Sequence, residues 1–121
     1  MSRKRLLILD DDYNILDSLS TLFEYEDYNI VTLSQIYTIN IFEDISLLKP
    51  DVILMDINFG KFNGMDLCLK LKENTQTAAY KIILMSAGDY GAVAFNAKCD
   101  FYIQKPFQTA LLLATVAQLA S

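Results

Sequence analysis

Apolar and polar positions divide the 121-residue chain into two alternating kinds of segment. The first kind is short and almost continuously apolar: RLLIL (5–9), NIVTL (29–33), DVILM (51–55, after Pro50), YKIILM (80–85) and DFYI (100–103). Such runs, rich in branched side chains, predict strands buried on both faces. The second kind is longer and repeats its apolar positions every three or four residues. YNILDSLSTLFEYE (13–26) sets Ile15, Leu16, Leu19, Leu22 and Phe23 on one face of a predicted helix. GMDLCLKLKEN (64–74), a short DYGAVAFNA (89–97) and FQTALLLATVAQLA (107–120) predict three more. IYTINIFEDISLL (36–48) is ambiguous. Its β-branched content favours a strand, but its length and the spacing of Ile36, Ile39, Phe42 and Ile45 favour a helix, which is the reading adopted.

Strand and helix thus alternate five times. This predicts an α/β fold, a doubly wound five-stranded parallel sheet with right-handed crossovers and helices on both faces. Ligands in such folds bind beyond the carboxyl ends of the strands, where the strand order reverses. The residues that follow each predicted strand are therefore informative. Asp10, Asp11 and Asp12 follow the first, Asp56 the third, Ser86 the fourth, and Lys105 with Pro106 the fifth. The loop after the second strand carries nothing comparable. Folding would gather carboxylates, a hydroxyl and an ammonium into one small region.

Carboxylates that stay ionised side by side call for a hard cation. Oxygen donors without histidine or thiolate favour magnesium, held at about 2.0–2.1 Å with waters completing an octahedron. Asp56 stands alone at the end of VILMD, and a carboxylate beside a metal can attack phosphorus to form an acyl phosphate. The metal and Lys105 would neutralise the phosphoryl oxygens, and the Ser86 hydroxyl could bond one of them. The Lys105–Pro106 bond is a candidate cis peptide that would swing Lys105 inward.

Composition narrows the picture. The length fits one domain, residues 1–121, and 53% hydrophobic residues weigh against disorder. No apolar run approaches the ~20 residues that span a bilayer, and the basic start MSRKRLLILD is too short for a signal peptide, so a cytoplasmic protein is expected. With a net charge of −5 and Arg3, Lys4 and Arg5 as the one dense basic cluster, neither nucleic acid nor membrane is an expected partner. Cys68 and Cys99 form no CxxC and are read as buried free thiols. The absence of histidine excludes it as metal ligand, general base or phosphoryl carrier.

Together LILDDD, ILMDINFGKFNG, ILMSA and YIQKPF, in this order and spacing, resemble the receiver domain of bacterial two-component response regulators, the chemotaxis-regulator-like family. The resemblance covers the whole chain. It implies a flavodoxin-like sheet of order 2-1-3-4-5 and Asp56 as phosphoacceptor. Asp11 would bind magnesium directly and Asp10 through water, Asp56 would complete the carboxylates, and Asn58 would lend its backbone carbonyl; manganese would substitute for magnesium. Ser86 becomes the switch hydroxyl, Tyr102 the switch aromatic that moves inward, and Lys105 the phosphate-binding lysine. Asp12 is expected to be a solvated residue at a helix start. The implied donor is a phosphohistidine on a sensor histidine kinase or on a histidine phosphotransfer protein, and the output is a changed surface for a downstream protein. The chain would act as an enzyme only on itself. No output domain is read within it. The apolar LLLATVAQLA serves either as core or as a homodimer face.

Three departures from the family pattern stand out. Gly60 occupies the place of a common proline, leaving Lys61 and Phe62 exposed near the site. The stretch from Ser86 to Lys105 is about three residues short, nearly one helical turn, so the fourth helix should be short or partly unwound. Lys98 replaces a common glycine, and an ending other than a left-handed cap is expected there. Gly88 places nothing bulky over the phosphoryl group, which predicts a short-lived acyl phosphate. Two rival readings remain: a receiver-like binding module that does not use phosphorylation, and an aspartyl-phosphate phosphatase of the haloacid-dehalogenase type. For the phosphatase, Asp10 and Asp12 have the right spacing, but the following threonine pattern and a cap domain are lacking.

Overall fold

A computed structural model describes residues 3–34 and 41–121. Five parallel strands form one sheet: β1 (Arg5–Leu9), β2 (Asn29–Leu33), β3 (Val52–Asp56), β6 (Lys81–Ser86) and β7 (Phe101–Gln104). Their order is β2-β1-β3-β6-β7. Apart from a short hairpin, β4 (Asn58–Phe59) and β5 (Phe62–Asn63), this is the expected order 2-1-3-4-5. The hairpin was not foreseen. The helices are α1 (Tyr13–Tyr25), α2 (Ile41–Leu48), α3 (Gly64–Glu73), α4 (Gly91–Ala94) and α5 (Thr109–Ala120). Residues 36–40 of the second predicted helix lie outside the described residues.

Alternation along the strands divides the core in two. Leu7, Leu9, Ile53, Met55, Ile82 and Leu84 pack with Ile41 and Ile45 of α2 and Leu67, Cys68 and Leu71 of α3. Leu6, Ile8, Val52, Leu54, Ile83 and Met85 face the other way, onto Leu16, Leu19 and Phe23 of α1 and Leu112 and Val116 of α5. All five residues of β3 are buried, as a central parallel strand requires. Both cysteines are buried free thiols, and burial pushes Cys68 up to about 12, leaving it protonated at neutral pH.

The fourth helix is as short as its sequence implied. One α-helical turn, Gly91–Ala94, runs into a 3-10 turn, Phe95–Ala97. Its ending corrects the expectation for Lys98. The lysine itself adopts the left-handed conformation, φ +63°, and its N–H donates to the Phe95 carbonyl at 3.0 Å. The closing bonds of the turn and the burial of Ala97 and Cys99 on either side hold it there against its intrinsic preference.

Candidate functional site

Backbone bonds just beyond the strands fix the site. The Asp10 N–H donates to Leu33 O (3.2 Å), Ile57 N–H to Met85 O (2.8 Å), and Lys105 N–H to Ser86 O (2.8 Å). These continue the ladder one residue past β1, β3 and β7 and place Asp10, Asp56 and Lys105 at the same edge. The order reverses between β1 and β3, so this edge is the topological switch point.

The three aspartates after β1 have three different environments. Asp10 is fully buried, and its Oδ1 accepts from Asp12 N–H at 2.9 Å. Asp11 is exposed and its Oδ2 accepts from Gly60 N–H at 3.1 Å. Asp12 is the N-cap of α1, its Oδ1 accepting from Asn14 N–H at 2.9 Å, the helix-start role foreseen for it. Asp56, at the end of β3, is only 6% exposed. Carboxylate oxygens of Asp10, Asp11 and Asp56 lie within 4.8 Å of one another.

Lys105 joins them. The Lys105–Pro106 peptide is cis, as its sequence allowed. The Lys105 Nζ donates to Asp10 Oδ2 at 2.8 Å and lies 3.6 Å from Asp56 Oδ1. Burial lowers the ammonium's pKa, but the Asp10 bond and the charges of Asp10 and Asp56 outweigh it, and the net direction is up. Burial, then the charge of Asp10, raise Asp56 to about 6 despite the opposing pull of Lys105.

Three carboxylates against one ammonium leave two negative charges, and every donor is oxygen. The chemistry fits a hard divalent cation, and a spread of 4.8 Å suits ligation partly through water.

The remaining predicted residues sit at the rim. Ser86 is fully buried and its Oγ accepts from Gly88 N–H at 3.0 Å. Asn58 is exposed, in β4 of the hairpin, opposite Asn63. Tyr102 is half-buried on β7; its hydroxyl donates to Gly88 O at 2.6 Å and accepts from Tyr90 N–H at 3.3 Å. Gly88 lies against the Tyr90 ring, 2.6 Å from where an added Cβ would stand. Lys61 and Phe62 are exposed as expected, Phe62 by 46%. Sequence reasoning missed Tyr90 and the Gly60 amide. The first had no readable signal; the second had one, a Gly-X pair between phenylalanines in NFGKFN, a hairpin pattern.

Residues 6–117 match the family model for the response regulator receiver domain. The chain is 31% identical over 117 residues to response regulator SaeR of Staphylococcus aureus, across 94% of this chain and 49% of SaeR. It is 24% identical over 115 residues to sensory transduction protein BceR of Halalkalibacterium halodurans, across 93% and 48%. The chain therefore spans about half the length of these curated relatives. A CheY-like response regulator receiver domain protein from Methanospirillum hungatei superposes with a TM-score of 0.83 at 29% identity, covering 98% of this chain and 94% of that one. A response regulator signal receiver domain from Bermanella marisrubri gives 0.85 at 22% identity, covering 99% and 100%, a likeness of fold.

Proposed function

The chain belongs to the response regulator receiver domain family of two-component signal transduction, and from that premise we propose that Asp56 is its phosphoacceptor. The observation that carries this reading is the meeting of Asp10, Asp11, Asp56 and Lys105 at one sheet edge, with a single buried carboxylate closing β3.

An Asp56 carboxylate oxygen attacks the phosphorus of a phosphohistidine on a sensor histidine kinase or a histidine phosphotransfer protein. The oxygen–phosphorus bond forms, the phosphorus–nitrogen bond breaks, and the electron pair returns to the imidazole. Asp56 must be ionised to attack, which its value of about 6 permits at neutral pH. Asp10, Asp11, Asp56 and the Asn58 carbonyl would hold magnesium, or manganese in its place, which when bound supplies charge neutralisation for the phosphoryl oxygens. Lys105 lies within 3.6 Å of Asp56 and can move from Asp10 to a phosphoryl oxygen. Ser86 keeps accepting from the Gly88 N–H and donates its own hydroxyl proton to another. Its movement draws on Gly88, whose carbonyl holds the Tyr102 hydroxyl, so the loop and the aromatic shift together. The altered face then meets a downstream protein partner. The unit turns over no separate substrate, and we place it in the cytoplasm; among the described residues no helix is long and apolar enough to cross a membrane.

Intact mass after incubation with magnesium and acetyl phosphate tests the reading. One added phosphoryl group on the parent, and none on Asp56→Asn, is expected. No addition to a folded, magnesium-binding parent would replace the reading with a binding module that does not use phosphorylation.

A further inference from the structure

Of the three clustered carboxylates, Asp11 alone has no cation against it among the described residues, since Lys105 meets Asp10 and Asp56. Its partner is a backbone amide, Gly60 N–H, at 3.1 Å from Oδ2, reaching back from the tip of the β4–β5 hairpin. The bond depends on the conformation of the turn. Gly60 and Lys61 are the two tip residues between the paired Phe59 and Phe62, and of the two only Gly60 has a positive φ, +58°. Glycine first with positive φ is the pattern of a type II′ hairpin. Nothing lies within 4 Å of where a Cβ would stand, so conformation and not space calls for glycine here. A proline at this place would have no N–H to donate and a φ near −65°.

We propose that the Gly60 amide is a positioning group for the divalent cation. It anchors Asp11 Oδ2 and keeps the remaining lone pairs of this carboxylate within reach of Asp10 and Asp56. The proposal rests on the receiver reading above. Two physical reasons support it. Asp11 is exposed and is repelled by two neighbouring carboxylates, so an unanchored side chain would turn to water. Ordering it beforehand removes that cost from cation binding, as groups behind a metal's ligands generally do. The departure at residue 60 therefore has a consequence of its own, tying hairpin conformation to metal affinity.

The test uses the full chain and manganese ion as the probe, with free ion followed by electron paramagnetic resonance and magnesium as competitor. Gly60→Pro should weaken manganese binding about fivefold or more while the circular dichroism spectrum is retained. Gly60→Ala, which keeps the N–H but strains the turn, should fall between. A second measurement does not depend on any Gly60 variant folding: hydrogen exchange of the Gly60 amide should be about fivefold faster or more in metal-free Asp11→Ala than in the parent. Unchanged affinity in Gly60→Pro together with unchanged Gly60 exchange in Asp11→Ala would overturn the proposal and leave the receiver reading intact. A parent chain that binds no manganese would overturn both.

Discussion

Asp56 carries opposing demands in a single side chain. It must be ionised to attack phosphorus, yet burial and Asp10 raise it to about 6. An unfolded aspartate titrates near 3.9. Between about pH 4 and pH 6 the folded metal-free chain therefore holds a proton that the unfolded chain has released, and stability falls as pH rises through this window. The deficit is fully present above about pH 7 and absent below about pH 4. Asp56→Asn should stabilise the metal-free chain by about 1–3 kcal/mol at neutral pH and by almost nothing near pH 4. Urea melts in chelator at both pH values check this; a destabilised variant at neutral pH would mean that Lys105 outweighs burial.

The short fourth helix shows how an element is set from outside itself. Its N-cap residue Tyr90 has no side-chain cap, and the Tyr102 hydroxyl takes the Tyr90 N–H instead. Its other end closes on Lys98 in the left-handed region. A β-carbon there costs roughly 1–2 kcal/mol, partly offset by glycine's greater entropy when unfolded, so Lys98→Gly should raise stability by about 0.5–1 kcal/mol. An unchanged or lower urea midpoint would show that the lysine stem contributes packing that offsets its backbone conformation.

On the scale of the molecule, one sheet serves two cores, and the two cannot melt independently while β1, β3 and β6 contribute to both. Phe23 is fully buried under α1, on the side away from α2 and α3. Phe23→Leu should cost about 1–2 kcal/mol and lower the far-ultraviolet and tyrosine near-ultraviolet transitions together. Separate transitions would mean that the layers are independent units. The shared sheet also holds the site at the switch point, since the strands bearing Asp10 and Asp56 are neighbours inside it.

What was legible in the sequence is what depends on residue type and period. Apolar runs announced the five strands, although only β1, β3 and β6 are buried as expected and the edge strand β2 has no buried residue, and Asp10, Asp11, Asp56, Ser86 and Lys105 marked the candidate site because each follows one of those runs. The Asp12 cap and the brevity of α4 were equally readable, being local in origin. Tertiary structure alone decided the rest. Which carboxylate pairs with Lys105, and which is left to the Gly60 amide, depends on distances between β1, β3, β7 and the hairpin. The left-handed Lys98 opposes what local preference would choose. The physical reason is common to both. A period or a propensity acts over a few residues, whereas a hydrogen bond or packing contact between distant segments is chosen only after folding brings them together.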